Sequence, residues 1–87
     1  MIQAASGLAS LPLHVGADPS YVPSVVADKI SALHIVYGVL AALYNRQRTS
    51  EGCVMEVPMF ESLVSFIMNE HLDAATFDEN CKPGYNR

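Results

Sequence analysis

Few side chains in this 87-residue sequence combine reactivity with a spacing that lets them act together. Asp28 stands at the opening of the longest helical pattern, and its carboxylate admits two readings. As an ordinary acid it satisfies helix N–H groups, since Asp is favoured at helix starts. Facing a cleft, it becomes a nucleophile for acyl transfer. Spacing alone does not choose. Glu70 and His71 are neighbours, but adjacent helical positions do not share a face, so they are not read as a dyad; His71 is expected to flank an apolar seam. His14, in a loop, is expected to be solvated. Cys53 and Cys81 have neither CxxC spacing nor adjacent histidines, so no zinc site and no redox pair is read from them. No phosphate-cradling glycine loop and no Ser/His/Asp arrangement is visible, and no cofactor-binding or metal-binding residue is assigned.

The elements that must position Asp28 follow from pattern and punctuation. Ile2, Ala5, Leu8 and Leu11 recur three apart, which predicts a short helix over residues 1–12, weakened by Gly7 and closed by Pro12. Gly16, Asp18-Pro19 and Pro23 make 13–23 an irregular loop. A main helix is expected over 24–48, capped by Ser24 or by Asp28. Its stripe Ile30, Leu33, Tyr37, Leu40 and Tyr44 is widened by Ile35, Val36, Val39 and Leu43, so the helix should be covered on most sides. Gly38 in its interior predicts a close crossing, and Arg46 and Arg48 suit the C-terminal end of the helix dipole. Cys53–Val57 alternates as a strand would, 53–57, without a convincing partner in the chain, and Pro58 ends it. A second helix over 59–72 puts Phe60, Leu63, Val64, Ile67, Met68 and His71 on one side, with Ser62, Asn69 and Glu70 on the other. A polar tail, 73–87, completes a single partial domain. The fold class is mainly α: two principal helices joined by a short extended segment.

Composition adds bounds. Hydrophobic residues are 51% and charged residues only 16%, a large apolar load for a chain with so much surface per volume. Such a chain either packs against another copy or belongs to a larger domain, and a homo-oligomer is expected. The formal charge is −4, and two arginines do not make the basic face that nucleic acid requires. The N-terminus lacks a basic n-region, so no signal peptide is read. The apolar run, interrupted by His34, falls short of the roughly 20 residues of a bilayer span, so no membrane is expected. Two cysteines without a disulfide framework suit a reducing, cytoplasmic setting.

VPSVVADKISALHIVYGVLAALYNRQRTSEG followed by VMEVPMFESLVSF resembles the class III CoA-transferase family. That family includes formyl-CoA transferase, carnitine CoA-transferase, the bile-acid-inducible CoA-transferases and α-methylacyl-CoA racemase. The resemblance lies in the order of features: an Asp opening a helix, an apolar run ending Leu-Ala-Ala-Leu, an Arg-x-x-Thr turn, a strand, then a helix beginning near Met-Phe-Glu. It covers nearly the whole chain from Ile2, yet family members are several times longer, so it implies an internal slice of the α/β large domain. Family enzymes add a small domain and interlock two subunits like chain links. On the family pattern Asp28 aligns with the nucleophile that forms an aspartyl intermediate, with a coenzyme A thioester and a carboxylic acid as substrates. In the racemase branch that acid works with a histidine from earlier in the sequence. Where the family has Thr-Gly-x-Gly-Gln, this chain has Thr49-Ser50-Glu51-Gly52-Cys53, so Ser50 is expected to hold a positive φ at a cost of about 1 kcal/mol.

The family's CoA-binding segments lie outside the resemblance, which implies that the chain alone lacks activity and binds no cofactor by itself. The alternatives are a freestanding helical self-association or protein-interaction module without catalysis, and an α-methylacyl-CoA racemase-like fragment.

Overall fold

The computed structural model describes residues 1–72 and Asn80. The tail expected over 73–87 therefore lies outside the described residues except for Asn80, as does Cys81. The order of elements is α1 (Ile2–Ala5), a 3-10 helix (Leu8–Val15), α2 (Val26–Thr49) and α3 (Met59–Leu72). The described chain is mainly helical.

The N-terminal segment is two short pieces rather than one helix ending at Pro12. Gly7 takes φ 91°, a left-handed conformation open to glycine at little cost, and this ends α1. The chain then winds as a 3-10 helix through Pro12 to Val15, and Gly16 at φ 75° closes it.

α2 starts at Val26. Neither Ser24 nor Asp28 caps it: the N-cap is Val25, without a side-chain cap, and the Ser24 hydroxyl instead accepts a hydrogen bond from Lys29 Nζ at 3.0 Å. At the other end Ser50 turns left-handed at φ 63°, its N–H donating to the Arg46 carbonyl at 2.8 Å. The Thr49 hydroxyl helps by donating to the Asn45 carbonyl and accepting from the Glu51 N–H. Ser50 thus occupies the backbone conformation in which a glycine is favoured.

α2 and α3 meet near the start of α2. Ala27 and Ile30 pack with Leu63 and Ile67, and Ile2, Leu8, Val26 and Met59 close the edges. Ser31 and Ser62 are buried in the same contact. Each hydroxyl donates to the carbonyl four residues back, Ala27 at 2.8 Å and Pro58 at 2.7 Å. A serine satisfied within its own helix can be buried without a partner across the interface, and its small size lets the helices approach. Ser62, expected on the outer side of α3, is therefore an inner residue. Phe60 and Met68, expected inside, are 41% and 44% exposed.

The covered face of α2 also differs from the expected stripe. Ile30 is buried, but Leu33, Tyr37, Leu40 and Tyr44 are each more than half exposed. The close crossing expected at Gly38 is present: a Cβ there would collide with Met55 Sδ and come within 3.1 Å of its Cε. Met55 thereby holds the 51–58 connection against α2. That connection forms no strand, and no strand occurs among the described residues. A sequence with strand propensity needs a neighbour to complete its ladder, and none is supplied here.

α2 also passes the length and composition test for a bilayer span, with mean hydropathy 1.5 over an 18-residue window of which 17% is buried. The interruption at His34 does not lower that average enough to exclude a membrane on length. The radius of gyration, 16.8 Å, exceeds the ~12 Å of a compact chain this long. Much of α2 projects beyond the small core.

Replacing Ser50 with glycine should relieve the left-handed strain and raise unfolding free energy by about 1 kcal/mol. Urea unfolding followed by circular dichroism reads the shift; a midpoint that falls would count against strain at this residue.

Candidate active site at the start of the long helix

Asp28 lies in the first turn of α2, exposed, one position after buried Ala27 and two before buried Ile30. Successive helical residues turn by about 100°, so packing that fixes Ala27 and Ile30 sends the carboxylate outward. The first helical hydrogen bond runs from the Lys29 N–H to the Val25 carbonyl at 3.1 Å. The N–H groups of Val26, Ala27 and Asp28 precede it, and no side chain caps them. Among the described residues Asp28 has no hydrogen bond and no ion pair; Lys29, its neighbour, is occupied by Ser24. The result is an unpaired carboxylate beside free N–H donors at the positive end of a helix dipole.

Gln3 fixes the chain entering this turn. Its Nε2 donates to the carbonyls of Val22 and Ser24, each at 3.2 Å, while its Oε1 accepts from the Val22 N–H at 2.9 Å. Ser20 N–H donates to the Ala9 carbonyl at 2.9 Å. One amide side chain thus pins both sides of the Val22–Ser24 bend that delivers Asp28. Sequence reasoning missed Gln3, because a lone glutamine in a short helix carries no spacing signal.

His14 and His71 are brought together elsewhere. His71 Nε2 lies 3.1 Å from the Gly7 carbonyl, so that nitrogen carries the donated proton. The same carbonyl accepts from the Ser10 N–H at 3.1 Å and the Ser10 hydroxyl at 2.8 Å. A Cβ on residue 7 would stand 2.8 Å from His71 Nε2, which adds a steric reason for glycine there. His14, expected to be solvated, is half-buried, its ring centroid 5.4 Å from that of His71 and its Nε2 shielded from solvent without a hydrogen-bond partner. The reason is the 3-10 helix, which extends past Pro12 and turns His14 toward α3. No hydrogen bond or ring contact joins either histidine to Asp28. His71 therefore ties α3 to the N-terminal segment.

A groove between the C-terminal half of α2 and residues 52–55 is lined by Val39, Leu43, Arg46, Cys53 and Met55 among others. Arg46 lies 18 residues beyond Asp28, about 27 Å along the helix, so it cannot reach Asp28 in the same chain. Cys53 is an exposed free thiol. Among the described residues no group of three or more His, Cys, Asp or Glu side chains could hold a metal ion.

A sequence model of CoA-transferase family III matches residues 1–87. The chain belongs to CoA-transferase family III. Two relatives are succinyl-CoA:mesaconate CoA-transferases, from Haloarcula hispanica and Haloarcula marismortui. Each is 33% identical over 63 residues, which is 72% of this chain and 16% of the relative. The chain thus spans about a sixth of the length of the curated relatives it matches. No solved structure matches it.

Gln3→Ala should leave the α2–α3 contact intact and loosen the bend before Asp28. The Val22 amide, losing its acceptor at a cost of about 1 kcal/mol, should exchange hydrogen roughly fivefold faster, with α3 amides unchanged. Equal acceleration throughout the chain would show that Gln3 is a general stability residue.

Proposed function

We propose that this chain supplies the nucleophile-bearing helix of a family III CoA-transferase, with Asp28 as the nucleophile. The observation that carries the reading is the placement of Asp28: an exposed, unpaired carboxylate in the first turn of α2, beside uncapped N–H groups, in a chain of this family.

The chemistry begins with an Asp28 oxygen attacking the acyl-CoA thioester carbonyl. The C–S bond breaks, CoA leaves as thiolate and a mixed anhydride remains on Asp28. The thiolate then attacks the aspartyl carbonyl of that anhydride, releasing the donor acid as a carboxylate and leaving an aspartyl-CoA thioester. The acceptor carboxylate repeats the first two steps in reverse order, taking CoA and freeing Asp28. Each stage is an acyl substitution with a good leaving group, and dividing the transfer in this way lowers the barrier to each part. Free N–H groups at the α2 start favour negative charge on the tetrahedral oxygen.

Transfer is preferred to racemisation because both Haloarcula relatives are named as transferases. Their names also make short dicarboxylic acids and their CoA thioesters the first substrates to test. By this reading the chain alone is inactive, because it brings the nucleophile without the family's CoA-binding segments. It works in the cytoplasm, and its exposed apolar surface is covered by pairing with a second copy.

The test is a graft of this chain in place of the matching segment of the Haloarcula hispanica enzyme. Asp28→Asn in the graft should lower kcat on the order of 10³-fold or more, with a much smaller change in KM. Hydroxylamine should trap an Asp28 hydroxamate in the active graft, identified by mass spectrometry of the peptide ending at Lys29. An Asp28→Asn graft that transfers CoA at the parental rate would overturn the assignment.

A further inference from the structure

We propose that Gln3 is a positioning residue for the transfer reaction. Its side-chain amide fixes the turn before α2, and through that turn the direction in which Asp28 presents its carboxylate. This rests on the reading of Asp28 as nucleophile and assigns a second residue to the same reaction.

The approach to Asp28 is a tight turn centred on Pro23. The Ser24 N–H donates to the Val22 carbonyl at 2.7 Å, a three-residue turn that suits the fixed φ of proline. Gln3 clasps the same turn from outside. Its Oε1 accepts the Val22 N–H, while Nε2 donates to the Val22 and Ser24 carbonyls. One oxygen and one N–H₂ thus meet one donor and two acceptors, so the amide is satisfied in this orientation and not in the flipped one. The Ser24 hydroxyl in turn accepts from Lys29 Nζ. The residue that Gln3 holds is therefore bonded to the residue next to Asp28.

Gln3 can serve as an anchor because α1, which carries it, is itself held. Ile2 packs on the edge of the α2–α3 core, and His71 of α3 binds the Gly7 carbonyl just past the end of α1. A line of contacts therefore runs from α3 through α1 and Gln3 to Ser24 and the first turn of α2. Asp28 has no hydrogen bond of its own among the described residues, so its direction is set by the backbone that Gln3 fixes. Misplacing a reacting group by about 1 Å costs on the order of 100-fold in rate.

The test uses the graft into the Haloarcula hispanica enzyme, with activity expressed per folded protein. Gln3→Ala and the similarly shaped Gln3→Met should each lower kcat by about 10- to 100-fold. KM for the acyl-CoA should change by less than about threefold. Gln3→Glu gives a sharper readout. A carboxylate has no proton for the Val22 and Ser24 carbonyls, and facing two oxygens favours its neutral form, which carries one donor. Its kcat relative to the parent graft should therefore rise as pH falls from about 8 to about 5, whereas the ratio for Gln3→Met should stay flat.

Parental kcat in both Gln3→Ala and Gln3→Met would overturn the assignment. So would an effect confined to KM, a loss that merely follows the fraction of folded protein, or a pH-independent ratio for Gln3→Glu. Asp28→Asn separates this proposal from the reading beneath it. If that graft is dead while the Gln3 variants run at the parental rate, Gln3 loses its role and the nucleophile keeps its own. An active Asp28→Asn graft removes both.

Discussion

The contact between the first turns of α2 and the middle of α3 holds the described structure in register. Ala27 and Ile30 supply one side, Leu63 and Ile67 the other, with Ser31 and Ser62 bonded inward on their own helices so that the backbones can draw close. Burying an aliphatic side chain of this size contributes about 1.5–3 kcal/mol, whereas ordering each backbone residue costs about 1–2. Three such side chains and an alanine cannot by themselves order a 24-residue helix. The contact sets the local geometry around Asp28, and the rest of α2 depends on further surfaces.

Around that contact the chain is built to hold one turn still. Gln3 clamps the bend before α2, Ser24 takes up Lys29, and His71 reaches from α3 to the Gly7 carbonyl. Each bond is modest, but all of them concern the segment that delivers Asp28 or the elements beneath it. A carboxylate next to open N–H groups is favoured there by the helix dipole, by about 0.3–1 kcal/mol when exposed. Membership of CoA-transferase family III is the ground on which the nucleophile role of Asp28 is proposed.

The helices were legible because their signals are periodic. The bounds of α3 and the position of the Gly38 crossing follow from apolar spacing and from the cost of a glycine inside a helix. The left-handed Ser50 follows from the departure from the family's glycine. Other features were not legible because two residue types can read alike in one dimension. Ser62 looks like a surface residue until its hydroxyl is satisfied by Pro58. Leu33 and Leu40 look like core residues until α3 is seen to pack on another side of α2. His14 looks solvated because nothing in the sequence shows that the 3-10 helix continues past Pro12. Gln3, the residue most directly engaged with the approach to Asp28, has no pattern to betray it. Asp28 itself was legible as an acid in the first turn of the long helix; its role as a nucleophile is what the family resemblance implies.

The connection between α2 and α3 has a mechanical side. From Thr49 back to Ile30 is about 28 Å along the helix axis. The ten steps from Thr49 to Met59, which packs at the core edge, reach at most about 33–36 Å when fully drawn out. A span of that order lies within the strap's reach, and Met55 fastens the strap on Gly38. The strand-like composition of Cys53–Val57 suits such a crossing without a ladder, since Val54 and Val57 are β-branched and favour extended backbone. The upper limit on reach makes the strap a one-sided length gauge. Extra residues would slacken it at little energetic cost, whereas lost residues would drag α3 off the turn that carries Asp28.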